Sequence, residues 1–259
     1  MKTLLFSLIL TFPLMAQNLS SLRSFDKTIE HRLNAVIRIS VLSKDLKVLT
    51  TGAGFYIGSK GNFLTSDHII KELLKDENNK IQFKLKSGRY LSQVSLLACK
   101  SEKNIDACLL KDLSLKKPPF FPIKNIKIGR GHEVSLIGFC NSEMHSSKRG
   151  RIIDYFKDLN SKFKTSKEAY NQKVMMVQTD VAQCPGDSGG PLFNSQGELV
   201  GMATNIFKST TVQKQFNLSI HNNELLAFIK NSGLKNIGLS QDRILSSSKA
   251  KARLLKLIK

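Results

Sequence analysis

Three side chains have the types and settings that acyl transfer requires. The segment CPGDSGGPLF, Cys184 to Phe193, sets the hydroxyl of Ser188 among three glycines and two prolines. Glycine belongs where backbone takes unusual dihedrals or approaches a ligand closely, so Gly186, Gly189 and Gly190 describe a loop shaped around something. Ser188 is the one side chain there suited to attack a substrate. The competing reading is a Gly-rich turn between two strands. A hydroxyl becomes a nucleophile when a base stands within hydrogen-bond reach, and imidazole is tuned for that near neutral pH. Of five histidines, His31 falls in a helical segment, His132 and His145 in polar turn-like stretches and His221 at the start of the last helix, all read most simply as surface residues. His68 differs: in NFLTSDHII it follows an apolar strand and precedes another apolar pair, which sets a polar ring at the end of a packed element. An imidazole that gathers a proton needs a buried carboxylate behind it. In NIDACLLK, Asp106 stands directly before an apolar strand, where a carboxylate is costly without a partner; an exposed hairpin aspartate is the alternative. Asp67 is a rival orienter, although a sequence neighbour of His68 normally points its side chain elsewhere.

The elements that must position these groups are mostly short strands. From Asn18 to Leu33 the apolar residues Leu19, Leu22, Phe25, Ile29 and Leu33 recur at three and four residues, the spacing of an amphipathic helix. The period then shortens. AVIRISV (35–41), GAGFYIG (52–58), NFLTSD (62–67), IQFKLK (81–86), YLSQVSLLAC (90–99) and ACLLKDL (107–113) are apolar or alternating runs separated by turn signals. Six such strands in a short span point to a small antiparallel barrel. KKPPFFP (116–122) resists both helix and central strand and reads as a linker. A second series follows in EVSLIGFC (133–140), GRIIDY (150–155), VMMVQT (174–179), GPLFN (190–194), ELVGMATNIF (198–207) and QFNLSI (215–220). A helix with an Asn cap closes the pattern at Asn222 to Lys230. The expected fold is all-β, with two antiparallel six-stranded β-barrels, an N-terminal helix and a C-terminal helix.

Composition bounds the setting. The first sixteen residues have Lys2, an apolar run from Leu4 to Met15 and Ala16 as a cleavage residue, the pattern of a secretory leader; the run is short for a membrane span. The expected location is therefore periplasmic or secreted. Lys and Arg total 40 against 20 acidic residues, a net charge of +20 that favours association with anionic surfaces. The charge is dispersed and there is no Trp, so specific nucleic-acid reading is not expected. Cys99, Cys108, Cys140 and Cys184 form an even set. It permits two disulfides, Cys99 with Cys108 across a hairpin and Cys140 with Cys184, or four buried thiols. No Cys-x-x-Cys spacing suggests zinc. The expected organisation is a leader at 1–16, a helical extension at 17–34, barrels at 35–115 and 123–221 joined by the linker 116–122, a helix at 222–233 and a basic tail at 234–259.

The stretches TGAGFYIGSKGNFLTSDHII, IDACLLK and VQTDVAQCPGDSGGPLFNSQGELVGMAT, in the order His, Asp, Ser, resemble the trypsin-like serine peptidases of the two-barrel fold. The third stretch is most similar to the HtrA/Deg-type bacterial branch. The resemblance implies a serine endopeptidase acting on protein or peptide substrates without a cofactor or metal. It makes Ser188 the nucleophile, His68 the general base and then acid, Asp106 the orienter, and the N–H groups of Gly186 and Ser188 an oxyanion hole. By the same match Ala182 lies at the base of the primary pocket, Thr204, Asn205 and Ile206 along its edge, and Leu218 to Ile220, with Ser219, behind. No acidic residue sits there, so a small or medium apolar residue is expected before the scissile bond. Two features depart from the family. Its secreted zymogens expose an Ile-Val-type amino terminus that pairs with the aspartate before the serine; no such sequence precedes Ala35, so Asp187 must find another partner or activity must be switched differently. HtrA/Deg proteins also carry a PDZ domain, for which the residues beyond Ile229 are too few. Oligomeric state and natural substrate are left open.

Overall fold

The computed structural model describes residues 25–99, 105–114, 117–140, 145–157, 173–209 and 214–232, leaving aside the side chains of 205–209 and 214–215. The leader at 1–16, the start of the helical extension at 17–24 and the tail at 234–259 lie outside the described residues. The first element among the described residues is helix α1 (residues 25–33). β1 (Val36–Leu42), β2 (Val48–Tyr56), β3 (Asn62–Thr65), helix α2 (Asp67–Leu74), β4 (Lys80–Leu85), β5 (Val94–Cys99) and β6 (Cys108–Asp112) then build the first half. β7 (Glu133–Gly138), β8 (Ser146–Phe156), β9 (Met176–Thr179), β10 (Pro191–Asn194), β11 (Leu199–Ser209), β12 (Lys214–His221) and helix α3 (Asn222–Asn231) build the second.

Each half contributes six antiparallel strands, as the alternating runs predict. The second half is a closed barrel in the order β10-β11-β12-β9-β8-β7. The first is a six-stranded sheet, β4-β1-β2-β3-β6-β5, whose edges are not joined by a ladder, a half-barrel beside the closed one. The reason is local. The segment after β4 turns through Ser87-Gly88 and meets β4 at the isolated bridge Lys84–Tyr90 and through the bonds from the Leu85 N–H to the Arg89 carbonyl and from the Leu91 N–H to the Phe83 carbonyl, each 2.9 Å. Six residues of the run at 90–99 pair as β5, and its first part spans the gap.

Three apolar clusters fill the molecule. Ile37, Ile39, Val41, Phe63, Phe83 and Leu110 pack inside the first half, and Val134, Leu136, Ile152, Val177, Leu192 and Val200 inside the second. The third cluster lies where the halves and the terminal helices meet, with Phe25, Phe55, Phe121 and Phe193 in edge-on or tilted ring contacts. Burying each such ring stabilises the fold by about 1.5–3 kcal/mol, so this junction holds the two halves as one body. The proline segment is part of it: Phe121 is fully buried and its N–H donates to the Tyr56 carbonyl at 2.9 Å. Two local expectations change. α3 is capped by His221, whose Nδ1 accepts from the Asn223 N–H at 3.1 Å, and not by an asparagine. His221 is buried beside Tyr155, not a surface residue, because β12 carries it under the barrel rim.

Candidate active site

The pairing of β3 with β6 closes the distance between His68 and Asp106. Thr65 is opposite Cys108, so the residues just past β3 and just before β6 meet at one end of the sheet. There the chain leaves β3 and enters α2, which places His68 in the first helical turn, not at the end of a strand. The first N–H groups of a helix have no partner within it. That of His68 donates to Asp106 Oδ1 at 2.9 Å, while the His68 ring Nδ1 meets Asp106 Oδ2 at 2.8 Å. Asp106 is fully buried, and the Thr204 hydroxyl of β11 also donates to its Oδ2. The His68 ring is 36% exposed, open on the side away from the carboxylate. Asp67, the rival, lies 3.4 Å from the Cys108 sulfur and 3.7 Å from the Lys71 ammonium.

This geometry sets opposed pKa shifts. Burial works against charge on both groups. At Asp106 it is outweighed by the hydrogen bond and charge of His68 and by the Thr204 hydroxyl, which hold the carboxyl below its usual range. At His68 burial is outweighed by the hydrogen bond and charge of Asp106, with Asp67 adding, which raises the imidazole above its ordinary value. A pair so arranged keeps an ionised carboxylate behind a ring able to take a proton.

Ser188 arrives from the other half, on the loop between β9 and β10. Gly186 has φ of +100° and Gly189 of +83°, backbone that side chains rarely allow, and a Cβ on Gly189 would collide with the Ala53 carbonyl. The loop is fastened to both halves: the Ala53 N–H donates to the Ser188 carbonyl at 2.7 Å, and the Gly189 N–H to the Ala203 carbonyl at 2.7 Å. The Gly186 and Ser188 N–H groups meet no acceptor among the described residues. The Ser188 hydroxyl donates to the Thr204 carbonyl at 3.2 Å and makes no hydrogen bond to His68. Thr204 thus touches Asp106 through its side chain and Ser188 through its main chain. All three candidate residues converge, with the serine arm turned toward Thr204.

Sequence reasoning placed Thr204 along a pocket edge and gave no sign of this double contact, since nothing in GMATNIF says where the hydroxyl points. Among the other pocket residues, Ala182 is exposed, and it is its neighbour Gln183 that reaches β12. The buried Gln183 amide donates to the Leu218 carbonyl and to the Ser219 hydroxyl, each at 3.4 Å, and Ser219 is fully buried. Asn205 and Ile206 pair through their backbones with Leu218 and Asn217, and their side chains lie outside the described residues. The cysteines form the disulfides Cys99–Cys108, which are direct partners across β5 and β6, and Cys140–Cys184. Both places where cysteine and aspartate atoms crowd together are these bridges, so neither offers a thiolate to a metal. Asp187, whose partner the sequence left open, is paired with Lys148 of β8 at 2.5 Å.

Known proteins resemble this chain in sequence and in fold. The family described as Trypsin-like peptidase domain matches residues 52–202, more than half of the chain. A probable periplasmic serine endoprotease DegP-like of Pseudomonas putida strain F1 is 33% identical over 156 residues, which cover 60% of this chain and 29% of that protein. Protease Do-like 2, chloroplastic, of Arabidopsis thaliana is 25% identical over 193 residues, covering 68% of this chain and 29% of its own length. The chain thus spans less than a third of the length of these curated relatives. Among solved structures, an HtrA-type protease with a tripeptide superposes with a TM-score of 0.64 at 20% identity, covering 81% of this chain and 63% of the other. A serine endoprotease from Yersinia pestis gives 0.61 at 23%, covering 81% and 66%. These two likenesses establish the fold.

Proposed function

This chain belongs to the trypsin-like peptidase family, and from that premise we propose that it is an exported serine endopeptidase acting through an acyl-enzyme. The observation that carries the reading is the fully buried Asp106 carboxylate, bonded at once to the His68 ring, the His68 N–H and the Thr204 hydroxyl. A carboxylate so enclosed has no inexpensive structural role, whereas it is what an imidazole base needs.

In the proposed cycle Ser188 rotates from the Thr204 carbonyl to His68 Nε2. Its oxygen attacks the scissile carbonyl carbon as its proton passes to Nε2, and the new oxyanion is held by the Gly186 and Ser188 N–H groups. The imidazolium, stabilised by Asp106, gives that proton to the leaving nitrogen; the C–N bond breaks and the acyl group stays on Ser188 as an ester. Water then attacks the ester carbon while His68 takes its proton, and collapse returns the proton to the Ser188 oxygen with release of the acid. No cofactor or metal enters any step. The substrates are proteins or peptides. A small or medium apolar residue before the scissile bond fits the expected pocket residues Ala182, Thr204, Asn205, Ile206 and Ser219, none of which carries a charge. The leader pattern and the periplasmic relatives support export, and the net charge of +20 supports contact with anionic envelope surfaces. The proposed units keep the limits given above, with the linker, through Phe121, belonging to the shared core.

A second reading, peptide binding without hydrolysis, is favoured by one observation: the Ser188 hydroxyl is bonded to Thr204 and not to His68. A fluorophosphonate probe separates the two. Under the peptidase reading, wild-type protein is labelled and cleaves peptides, and Ser188→Ala abolishes both. Binding of peptides by an unlabelled wild type decides for the alternative.

A further inference from the structure

Asp187 stands between the two residues whose N–H groups form the proposed oxyanion hole, and its carboxylate is 1% exposed. Its contacts are all to groups outside the active-site relay. Oδ2 meets the Lys148 ammonium at 2.5 Å and accepts from the Cys184 N–H at 3.0 Å, and Oδ1 accepts from the Cys140 N–H at 3.3 Å. The two donating residues are themselves joined by a disulfide. Gly138 at the end of β7 makes room for this arrangement: a Cβ there would strike Oδ1 and lie 2.9 Å from the Asp187 Cα.

The cation comes from a basic run, Lys148, Arg149, Gly150 and Arg151, on β8. Side chains alternate along a strand, so the even and odd positions face opposite ways. Arg149 and Arg151 turn out, with side chains 34% and 62% exposed, and reach Asp26 and Glu133 respectively. Lys148 turns in, with a side chain 20% exposed, and ends on Asp187.

We propose that Lys148 is a positioning residue for the oxyanion hole: by neutralising the enclosed Asp187 carboxylate it holds the 184–188 turn in the shape that leaves the Gly186 and Ser188 N–H groups free for substrate. An uncompensated carboxylate in this place is driven toward water. Asp187 cannot leave without carrying the peptide after it, which bears the Ser188 N–H, and shifting Gly186 before it, whose N–H is the other donor. The ammonium that keeps the turn in place is thus part of the folded body, supplied by an internal strand. This inference rests on the peptidase reading above.

The test compares Lys148→Met, Asp187→Asn and the double variant, each checked for folding by near-ultraviolet circular dichroism. Kinetics are measured on a peptide that the wild type cleaves, together with inhibition by a peptide aldehyde, whose adduct needs the hole. Losing a single oxyanion donor costs about 10²–10³-fold in kcat, and Lys148→Met is expected to fall by a similar factor, with KM little changed and the aldehyde weakened in parallel. Adding Asp187→Asn removes the charge that Lys148 answers, so the double variant is expected to regain at least tenfold of the lost kcat. If Lys148→Met does not fold, the double variant decides: folded and active supports the proposal, folded and inactive overturns it. Full kcat in Lys148→Met, or a loss that Asp187→Asn does not relieve, also overturns it and leaves the peptidase reading standing. A wild type that neither cleaves nor labels at Ser188 fails at the earlier step, and the proposal falls with it.

Discussion

Two buried carboxylates lie on either side of Ser188, and they are held in opposite ways. Asp106, before β6 in the first half, is bonded to a histidine and a threonine; Asp187, in the second half, is bonded to a lysine and two main-chain N–H groups. Both are essentially without solvent contact. The partner of Asp106 is an imidazole whose charge changes near neutral pH and whose far side is open. The partner of Asp187 is an ammonium on the side chain of Lys148, and it lies largely enclosed. In the proposed mechanism one carboxylate serves a group that gains and loses a proton in every cycle, and the other serves a turn that keeps its shape. The same price of burial thus supports two different tasks, and the partner distinguishes them.

The sharpest way to break this contrast is to neutralise each carboxylate. Asp106→Asn leaves the volume nearly unchanged but presents an amide to His68 Nδ1, which favours the wrong tautomer and removes the charge that stabilises the imidazolium. A loss of about 10⁴-fold in kcat is expected. The matching change at Asp187, made together with Lys148→Met, is expected to be far milder, because it removes both members of an ion pair that takes no part in the proposed proton transfer. Steady-state kinetics on one peptide compare the two directly. Equal losses would mean that Asp106 and Asp187 are both scaffold, and the distinction would fail.

Thr204 ties the two halves of the site together and gives the next effect in size. Thr204→Val keeps the shape and the carbonyl that receives Ser188 but removes the hydroxyl that donates to Asp106. A hydrogen bond to a charged group is worth about 1.5–3 kcal/mol, and the variant is expected to lose about that much stability in urea unfolding. A change near zero would show that the carboxylate is satisfied without Thr204.

What sequence could and could not reveal follows the range of each interaction. Ser188, His68 and Asp106 stand out because each has a local oddity: glycines around a hydroxyl, or a polar group against an apolar run. The strand series of both halves shows for the same reason, since alternation is a property of neighbours. Lys148 has no such mark. It sits in a run of cations of the kind surface strands carry, and only the pairing of β8 with β7 decides which of them turns toward Asp187. Thr204 and Gln183 are likewise ordinary residues until β11 and β12 are in register. The open edge of the first sheet depends on the path of the chain between Ser87 and Gln93, where pairing gives way to a single bridge. His221 is misread because polarity suggests the surface, while its place as a helix cap depends on how α3 leaves the barrel.

The smallest expected effect concerns pH, and its sign follows from the first carboxylate alone. Burial depresses the His68 pKa, but the hydrogen bond and charge of Asp106, with Asp67, more than offset it, so the folded value lies above the ordinary 6.5. Only the neutral ring accepts the serine proton. The acid limb of kcat/KM is therefore expected at a midpoint above 6.5, rising with pH through the raised value. The linked stability runs the other way: the contribution of the raised His68 pKa is complete below the unfolded value and is lost as pH climbs through the folded one. The depressed Asp106 contributes above its unfolded value and is lost as pH falls through its folded one. Between these limits both groups are charged and the pair is at its strongest, so the free enzyme is expected to be most tightly paired on the acid side of its activity. In Asp106→Asn the raising causes shrink to Asp67, and the residual acid limb should move down from its wild-type position. A limb that stays in place would show that Asp106 does not set the charge state of His68.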